Sequence, residues 1–434
     1  MKRSRPQPGG DPNRWYPHGS PLGPGAKGCR GDVPPPVGFG WAPPFRVYET
    51  SQGIFRTTID WDALVPAYTD EFWVSTGGNN GNTGLSHAQA WLSIDVALAN
   101  IAAAGNPTRL NIEGGEYTNS HRWDSTLIAN DFYAVGYGGR PVTISRPNAF
   151  PAWTADGASY KAAVAAVQVI DNADTQADGF GLALELVANA AAVMATPRSF
   201  FEAAGTTWVH TFDSREPDTD VDCVLNVNGT TISAAGKTHY YKGIEFRSSG
   251  AACVNVVAAG NIILDDCWLT FAKSGSCLDC DDVTGIVYLR DCVAVQATDD
   301  GFNYATTPYA VEVNCNSYRH GPYEVANNQN GSSMHGGGVI VRVGGIYSGA
   351  KGPGIADVTA GDTWCLGCQA LDSVADLGVN ANDGFKTDGD MWLDRCIASG
   401  NESDIAEDGA GTAYHHESTY TTSRGTLAAY NNRP

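Results

Sequence analysis

The second half of the chain repeats one short pattern, and this repetition restricts the fold more than any other feature. From about Ile244 onward, a short stretch of alternating apolar residues is followed by a polar or glycine step and a second short stretch. The anchors of successive copies are 21, 25, 23, 30, 23 and 28 residues apart. These anchors are Phe246, Cys267, Cys292, Cys315, Gly345, Cys368 and Cys396. Near-constant spacing that varies at the turns predicts a solenoid, whose coils bury their inward side chains against neighbouring coils.

Coils of this length, built from β-segments, predict a right-handed parallel β-helix. The alternative is an antiparallel β-sandwich with irregular strands. A sandwich would show Asn-Gly or Asp-Gly hairpin signals every 8–12 residues or so. Such signals are sparse after Ile244. The predicted fold class is therefore all-β, a single-stranded right-handed parallel β-helix.

The cysteines support a dry interior. The chain has 11 cysteines, an odd number without the paired spacing of a disulfide framework. Five of them fall on equivalent anchors, which predicts a ladder of buried thiols along the axis. The pairs Cys277/Cys280 and Cys365/Cys368 leave a zinc site as the alternative, although no histidine lies beside either pair.

A short amphipathic helix precedes the coils. Trp91, Ile94, Leu98 and Ile101 recur at helical spacing, Ser93 is a candidate N-cap, and Gly105 with Pro107 ends the helix. A helix this short needs a large apolar partner. Because an open solenoid end exposes apolar core and unpaired backbone groups, we expect this helix to cap the first coil.

The N-terminal segment has a different composition from the rest. Residues 1–45 contain eleven of the 22 prolines, together with many glycines. Proline lacks the backbone donor and fixes φ, so this segment cannot form a helix or a central strand. Its aromatic residues predict that it becomes ordered by draping over a partner. These residues are Trp15, Tyr16, Phe39, Trp41 and Phe45.

Charge and hydropathy exclude several function classes. The formal net charge is −20, and residues 1–70 hold eight Lys/Arg against six Asp/Glu, so the acidic excess lies beyond them. Phosphate contacts require lysine and arginine, so no nucleic-acid partner is expected. No apolar run is long enough to span a bilayer, and the basic N-terminus has no hydrophobic core behind it, so neither membrane insertion nor export is expected.

Acidic turns supply the candidate chemistry. Polysaccharide cleavage by hydrolysis uses two carboxyl groups, about 5–5.5 Å apart in retaining enzymes and about 6.5–9.5 Å apart in inverting ones. Neighbouring coils of a β-helix are about 4.8 Å apart, so acids one or two coils apart can meet these distances. Asp299 and Asp300 in "QATDDGFNY" form the best candidate pair.

Two further residues complete the candidate set. His335 in "SSMHGGG" is flanked by glycines that allow close approach of a ligand, and could shuttle protons. Asp383 in "NANDGFKTDGD" repeats the Asp-Gly-Phe pattern. Two alternatives stay open for these acids: turns in which aspartate caps its own backbone, and a calcium site. We expect neither a cofactor nor a resident metal.

The stretch "FWVSTGGNNGNTGLSHAQAWLSIDVALANIAAAGNPTRLNIEGGEYT" resembles the opening of pectate-lyase-like right-handed β-helix proteins. "YAVGYGGRPVTISRPNAF" resembles their second coil. "FPAWTADGASYKA" and "RSFFEAAGTTWVHTFDSREPD" resemble a small antiparallel insertion that many members carry. "CDDV", "TDDG", "MHGG" and Lys351 follow the order of the polygalacturonase motifs, although the Asn-Thr-Asp triplet is absent and Met334 replaces a glycine. The resemblance covers roughly residues 71–420 and implies the fold more specifically than the activity.

Within this family the Pro-rich N-terminus, the acidic Gly-rich coils and "NGSSMHGGGVIVRVGGIYSGAKGPGIADV" are similar to bacteriophage tailspikes and tail fibres. The resemblance implies a homotrimer in the virion tail that binds a bacterial surface polysaccharide, and it leaves open whether the chain also degrades that polysaccharide. Residues 1–70 would attach to other tail or baseplate proteins, 71–240 would hold the cap, first coils and insertion, and 241–434 the main coils. The alternatives are a free polysaccharide lyase or glycoside hydrolase, and a non-catalytic decoration or baseplate component.

Overall fold

The computed structural model describes most of the chain and divides it into two compact units. One unit comprises Arg30–Ser145 with Val227–Pro434, and the other contains Arg146–Asn226. The described residues are 29–119, 121–123, 127–227, 229–321, 329–359, 361–373 and 382–430. Residues 1–28, and with them much of the predicted attachment arm, lie outside the described residues.

The larger unit is a parallel β-helix, as predicted. Its strands pair in parallel with the equivalent strands one coil away, as when Ile286–Arg290 pairs with Tyr309–Val313 and that strand with Val339–Val343. The coils have three faces, here called the first, second and third sheets. The strands of the first sheet are Asp70–Val74, the beginnings of Thr108–Thr118 and Phe132–Ile144, the ends of Thr230–Lys242 and Val254–Asp265, Ile286–Arg290, Tyr309–Val313, Val339–Val343, Asp362–Leu366, Met391–Asp394, Ala413–His416 and Leu427–Ala429.

The other two sheets follow in each coil. The second sheet contains the ends of Thr108–Thr118 and Phe132–Ile144, then Glu245–Ser249, Trp268–Ala272, Val293–Val295, Asn316–Tyr318, Ile346–Ser348, Gln369–Leu371 and Ile397–Ser399. The third sheet contains the beginnings of Thr230–Lys242 and Val254–Asp265, then Leu278–Cys280, Phe302–Tyr304, Ser332–Met334, Ile355–Asp357, Asp383–Thr387, Ser403–Glu407 and Ser423–Arg424.

The thiol ladder exists. Cys267, Cys292 and Cys315 are fully buried and precede the paired strands Trp268–Ala272, Val293–Val295 and Asn316–Tyr318. Burial raises the pKa of all three thiols. The first anchor is corrected: Glu245 pairs with Trp268, so Ile244 and not Phe246 lies opposite Cys267. Ile244 and Phe246 are both apolar, so either one fits the sequence repeat. Only the pairing register between coils shows which of the two is the anchor.

Each rung of this ladder follows a residue with left-handed backbone. The backbone N–H of this preceding residue donates to a carbonyl oxygen of the next coil. Asp291 N–H, for example, donates to Val313 O, and Asn314 N–H donates to Val343 O. The positive φ angle turns the chain from the first to the second sheet, which explains why Gly, Asp and Asn dominate this position. The residues are Gly243, Asp266, Asp291, Asn314, Gly344, Gly367, Arg395 and Glu417.

Between Cys267 and Cys396, Gly345 occupies the rung that lacks a cysteine. Its φ is +97°, and a Cβ there would overlap the carbonyl oxygen of Cys315. We expect Gly345→Ala to lower the free energy of unfolding by at least about 2 kcal/mol, because backbone strain and a backbone clash add. Gly105→Ala is the matched control, since Gly105 has a φ of +68° and open space around its Cβ. Urea unfolding of both variants measures the difference, and equal losses would contradict this account.

The predicted capping helix spans Ile94–Ala104 and ends at Gly105. Ile94, Ala97, Leu98 and Ile101 are buried in the β-helix core. Ser93 is the N-cap, but its hydroxyl bonds to His121 and Asn80 instead of to the helix backbone. The other helical segments in the described ranges are Asp62–Leu64, His87–Gln89 and Ala190–Ala195. No helix among the described residues is long and apolar enough to cross a membrane.

Residues 33–65, here called the strap, pack on the first sheet of the same chain. The strap contains the antiparallel strands Val47–Thr50 and Phe55–Thr57, and Cys29–Val33 precedes it. Trp41 stacks on Tyr309 with ring centroids 4.7 Å apart, and Arg395 donates to Glu49 over 2.7 Å. The strap covers an outward row of mostly aromatic and β-branched residues: Tyr133, Tyr240, Ile263, Tyr288, Val311, Val341, Trp364, Trp392 and Tyr414. The described part of the Pro-rich segment therefore drapes over its own β-helix.

The smaller unit is the predicted insertion and is mostly antiparallel. Its five-stranded sheet contains Glu185–Leu186, Ser199–Ala203, Thr206–His210, Ser159–Ala162 and Thr154–Asp156, in that order. Its three-stranded sheet contains Leu182–Ala183, Gln168–Asp171 and Val221–Val224. Phe200 and Val209 are buried in the core of this unit.

Candidate functional site

The outer face of the third sheet carries a row of mainly polar side chains, one from each coil. In the short strands Leu278–Cys280, Phe302–Tyr304 and Ser332–Met334, the middle residue points outward while its two neighbours are buried. Asp279 pairs with Asn303, and Asn303 pairs with Ser333. The complete row is Thr231, Asn255, Asp279, Asn303, Ser333, Ala356, Lys386, Ala406 and Arg424.

Asp300 and His335 meet beside this row. Asp300 is buried, and its carboxylate accepts hydrogen bonds from Asn330 N at 2.6 Å, Asn330 Nδ2 at 3.0 Å and the Ser333 hydroxyl. His335 Nε2 lies 3.9 Å from Asp300 Oδ2, an ion pair longer than a hydrogen bond. The contact with Asp300 raises the pKa of His335, the charges of Asp299 and Asp357 add to this, and burial opposes it. The side chain of His335 is 35% exposed, so it can meet a ligand while holding a proton.

Asp279 supplies a second carboxyl group on the same face. Asn303 Nδ2 donates to Asp279 Oδ1 over 2.8 Å, and Asn303 Oδ1 lies 3.2 Å from Ser333 Oγ. Polar contacts therefore run from Asp279 through Asn303 and Ser333 to Asp300. Burial raises the pKa of Asp279, with the charges of Asp281 and Asp300 adding to this, whereas Asn303 and His335 lower it. A raised pKa makes this carboxylate a better proton acceptor.

Asp299 and Asp300, predicted as a pair, occupy different environments. Asp300 is buried and engaged in hydrogen bonds, whereas Asp299 is half-buried and contributes charge to His335. The structure brings Asp299, Asp300 and His335 together. Asp300 is positioned to orient His335. Asp279 is more exposed than Asp300 and is therefore the carboxyl group that can contact a ligand.

Asp383 lies apart from these residues. Its strand is three coils beyond Phe302–Tyr304, a backbone separation of about 14 Å at the usual coil spacing. Asp383 is buried and pairs with Arg424 Nη2 at 3.0 Å. Burial raises the pKa of Asp383 to about 6, although Arg424 opposes the shift. Its role as a site residue stays a prediction.

The main residues missed by the sequence predictions are Asp279, Asn303 and Ser333. Asp279 was hidden in "CLDC", where the two cysteines drew attention to zinc. When "LDC", "FNY" and "SSM" are aligned as equivalent strands, each has a polar residue between two apolar or small ones. This pattern would have identified the three residues from the sequence. Cys277 and Cys280 are buried thiols, and the described residues contain no group of three or more His, Cys, Asp or Glu arranged to hold a metal.

Inside the coils, next to the candidate site, lies a charged cluster. Arg342, Glu312 and Asp357 are fully buried, and Arg342 lies 3.7 Å from each carboxylate. Glu312 also accepts hydrogen bonds from Tyr304 and Ser332, at 2.9 and 2.6 Å. Burial raises the pKa of Asp357 to about 7, although Arg342 opposes the shift. The cluster has no exposed member, so it supports the coils and does not contact a ligand.

No protein-family model and no curated protein sequence matches the chain. Similar solved structures exist at low identity. The complex of XylC with xylose has a TM-score of 0.53 at 10% identity, over 80% of this chain and 67% of that chain. A structure named glycoside hydrolase has a TM-score of 0.54 at 11% identity, over 83% and 96%. The pectate lyase Pel9A has a TM-score of 0.41 at 14% identity, over 85% and 79%. At these identities the first two support the parallel β-helix fold alone.

Proposed function

We propose that this chain hydrolyses a glycosidic bond of a polysaccharide bound along the outer face of the third sheet. One observation carries the proposal: a partly exposed histidine with a raised pKa, His335, is held by buried Asp300 on the same face as the carboxyl group of Asp279. This arrangement supplies one proton donor and one proton acceptor to a ligand. Structures named glycoside hydrolase and XylC with xylose share the fold, which agrees with the proposal.

The reaction follows from these two groups. The His335 imidazolium donates a ring proton to the glycosidic oxygen, and the bond from the anomeric carbon to that oxygen breaks with its electron pair on the leaving sugar. Asp279 takes a proton from a water molecule, whose oxygen bonds to the anomeric carbon. One water is consumed and one new reducing end forms. The proton returns from Asp279 to His335 through solvent.

The spacing favours direct attack by water. Asp279 and Ser333 are two coils apart, a backbone separation of roughly 10 Å, and His335 follows Ser333 by two residues. Inverting glycosidases hold their two catalytic carboxyl groups about 6.5–9.5 Å apart, against about 5–5.5 Å in retaining ones, to leave room for the attacking water. We therefore expect inversion at the anomeric carbon.

We expect the wild-type chain to release new reducing ends from a panel of bacterial surface polysaccharides, and Asp279→Asn to slow release by about 10²–10⁴-fold, the usual contribution of one acid–base group. Asp282→Asn is the matched control, because Asp282 lies exposed on the adjoining turn. Reducing-end assays and mass spectrometry of the products give the measurement. Binding without any release by the wild type would replace hydrolysis with glycan recognition alone.

We propose further that the chain is a bacteriophage tailspike or tail-fibre protein, acting as a homotrimer in the virion tail on a host surface polysaccharide. The Pro/Gly-rich N-terminus and the acidic, Gly-rich coils support this. Within residues 1–70, we propose that the part before the strap attaches to other tail or baseplate proteins, because the strap packs on the β-helix of its own chain.

Deletion of residues 1–28 is expected to leave folding and polysaccharide cleavage unchanged and to abolish incorporation into phage particles. Deletion through residue 66 is the informative contrast, since it also uncovers the aromatic row and should cause aggregation. Co-sedimentation of the purified chains with particles that lack this protein measures attachment. Normal incorporation of the shorter deletion would assign attachment to a different segment, whereas no incorporation of the wild type would favour a free enzyme.

A further inference from the structure

The insertion unit carries a row of side chains across one face of its five-stranded sheet. Phe201 pairs with Trp208, Trp208 with Lys161, and Lys161 with Thr154. Side chains at paired positions point to the same side of a sheet. The opposite side carries Phe200 and is buried in the core of the unit, so the Phe201 row lies on the outer side.

Phe201 and Trp208 form an aromatic platform on this face. Their ring centroids are 5.8 Å apart and their planes are inclined by 34°, so the two rings present one gently bent surface. Both side chains are only partly buried. Two large aromatic residues left partly open to solvent on the same row are not required by the core of this unit.

Polar groups border the platform. Trp208 Nε1 donates to Asp156 Oδ2 over 2.8 Å, and Lys161 Nζ lies 3.2 Å from the same oxygen. The side chains of Lys161 and Asp156 are 42% and 33% exposed. The hydrogen bond from Trp208, followed by that from Lys161, lowers the pKa of Asp156, so this group stays an ionised acceptor. A hydrogen-bond donor, Lys161, and an acceptor, Asp156, therefore lie side by side at the edge of the aromatic platform.

We propose that this face is a second glycan-binding site, which takes pyranose units of a neutral polysaccharide by stacking on Phe201 and Trp208 and hydrogen bonding to Asp156 and Lys161. The apolar C–H face of a pyranose matches an aromatic ring, and its hydroxyls match a neighbouring carboxylate and ammonium. The site lies outside the proposed hydrolytic centre and does not depend on it.

The dimensions of the platform favour a glycan over a protein partner. A stable protein interface buries about 800 Å² on each side. Two partly exposed aromatic side chains offer far less apolar area than this, because an aromatic residue buries about 150–250 Å² in total. The charges of Asp156 and Lys161 neutralise each other, which disfavours a strongly charged ligand.

Affinity electrophoresis of the full chain tests the proposal, in gels that contain xylan, β-glucan, mannan or galactan. We expect at least one polymer to retard the wild type, and Trp208→Ala or Phe201→Ala to weaken that retardation by about tenfold, as loss of a stacking ring predicts. Phe212→Ala is the matched control, since Phe212 is a 39% exposed aromatic residue of the same unit off this row. Asp279→Asn should be retarded like the wild type, which separates this site from the hydrolytic one.

Folding of each variant is checked by its far-ultraviolet circular dichroism and thermal midpoint. Trp208→Phe provides a gentler variant, which keeps one stacking ring but loses the rest of the indole and the N–H donated to Asp156, and we expect it to retain most of the binding. Retardation of the wild type by none of the four polymers would overturn the proposal. Equal retardation of the wild type and the folded Trp208→Ala and Phe201→Ala variants would also overturn it.

Discussion

Replacing Arg342 by methionine is expected to lower the free energy of unfolding by about 3–5 kcal/mol at pH 7, because the change leaves two buried carboxyl groups without their cation. Arg342 Nε donates to Ser332 Oγ at 3.1 Å and Nη1 to Thr363 Oγ1 at 3.0 Å. All three charged members of the cluster are fully buried, so solvent cannot replace the lost guanidinium. Urea unfolding of the wild type and the variant measures the loss.

The loss should depend on pH with a definite sign. The pKa of Asp357 is about 7 in the folded chain and near 3.9 in an unfolded one, so its ionisation destabilises the fold as pH rises through this window. Arg342→Met raises the folded pKa further, and the loss should therefore be smaller at pH 5 than at pH 7. Equal losses at both pH values would show that the carboxyl groups are not ionised in the wild type.

A triple variant separates charge from packing. Glu312→Gln, Arg342→Met and Asp357→Asn together remove the charges but keep acceptors for Tyr304 and Ser332. We expect the triple variant to recover at least half of the stability lost by Arg342→Met alone, since an unpaired buried charge costs more than a neutral polar group. A triple variant as unstable as the single one would assign the loss to the cavity left by the arginine.

His335→Gln is expected to reduce polysaccharide hydrolysis by about 10²–10⁴-fold with a small change in KM, because glutamine can hydrogen bond to the glycosidic oxygen but cannot protonate it. His415→Gln is the matched control, as His415 is half-buried on the first sheet in a late coil. Initial rates at saturating polysaccharide measure kcat. Unchanged kcat in the His335 variant would remove this residue from the reaction.

The pH profile tests Asp300 as the positioning residue. The folded pKa of His335 is raised above its ordinary value of about 6.5, so the imidazolium persists to higher pH and hydrolysis should fall only as pH rises through the raised pKa. Asp300→Asn should move this alkaline limb to lower pH. The ion pair also stabilises the fold below about pH 6.5, and this stabilisation is lost as pH rises through the folded pKa. An unshifted limb would mean that Asp300 has a purely structural role.

The local features of the β-helix were predictable because they repeat or are short. The capping helix and the buried cysteines follow from apolar spacing within a few residues, whereas the antiparallel insertion was predicted from the resemblance of its segments to β-helix proteins. The residues with left-handed backbone were also visible as Asp, Asn or Gly before most anchors, for example Asp266 before Cys267 and Gly367 before Cys368. This signal would have placed the first anchor at Ile244, since Gly243 precedes it.

The candidate site was only partly predictable, for a geometric reason. Asp300 and His335 were identified as chemically suitable, but their contact depends on how many residues the turns between coils consume. Those turns vary, so sequence separation does not give spatial register. Asp279 and Ser333 entered the site only after the strands were aligned.

The sequence by itself determined that the chain winds as a parallel β-helix with a capped first coil, because burial of one residue type per coil repeats along it. The tertiary structure alone decided which outward residues stand beside one another and where the Pro-rich segment goes. The strap covers an aromatic row whose members lie on separate coils and become one surface only after winding. Contacts across coils depend on register, which turn length sets and local sequence does not specify.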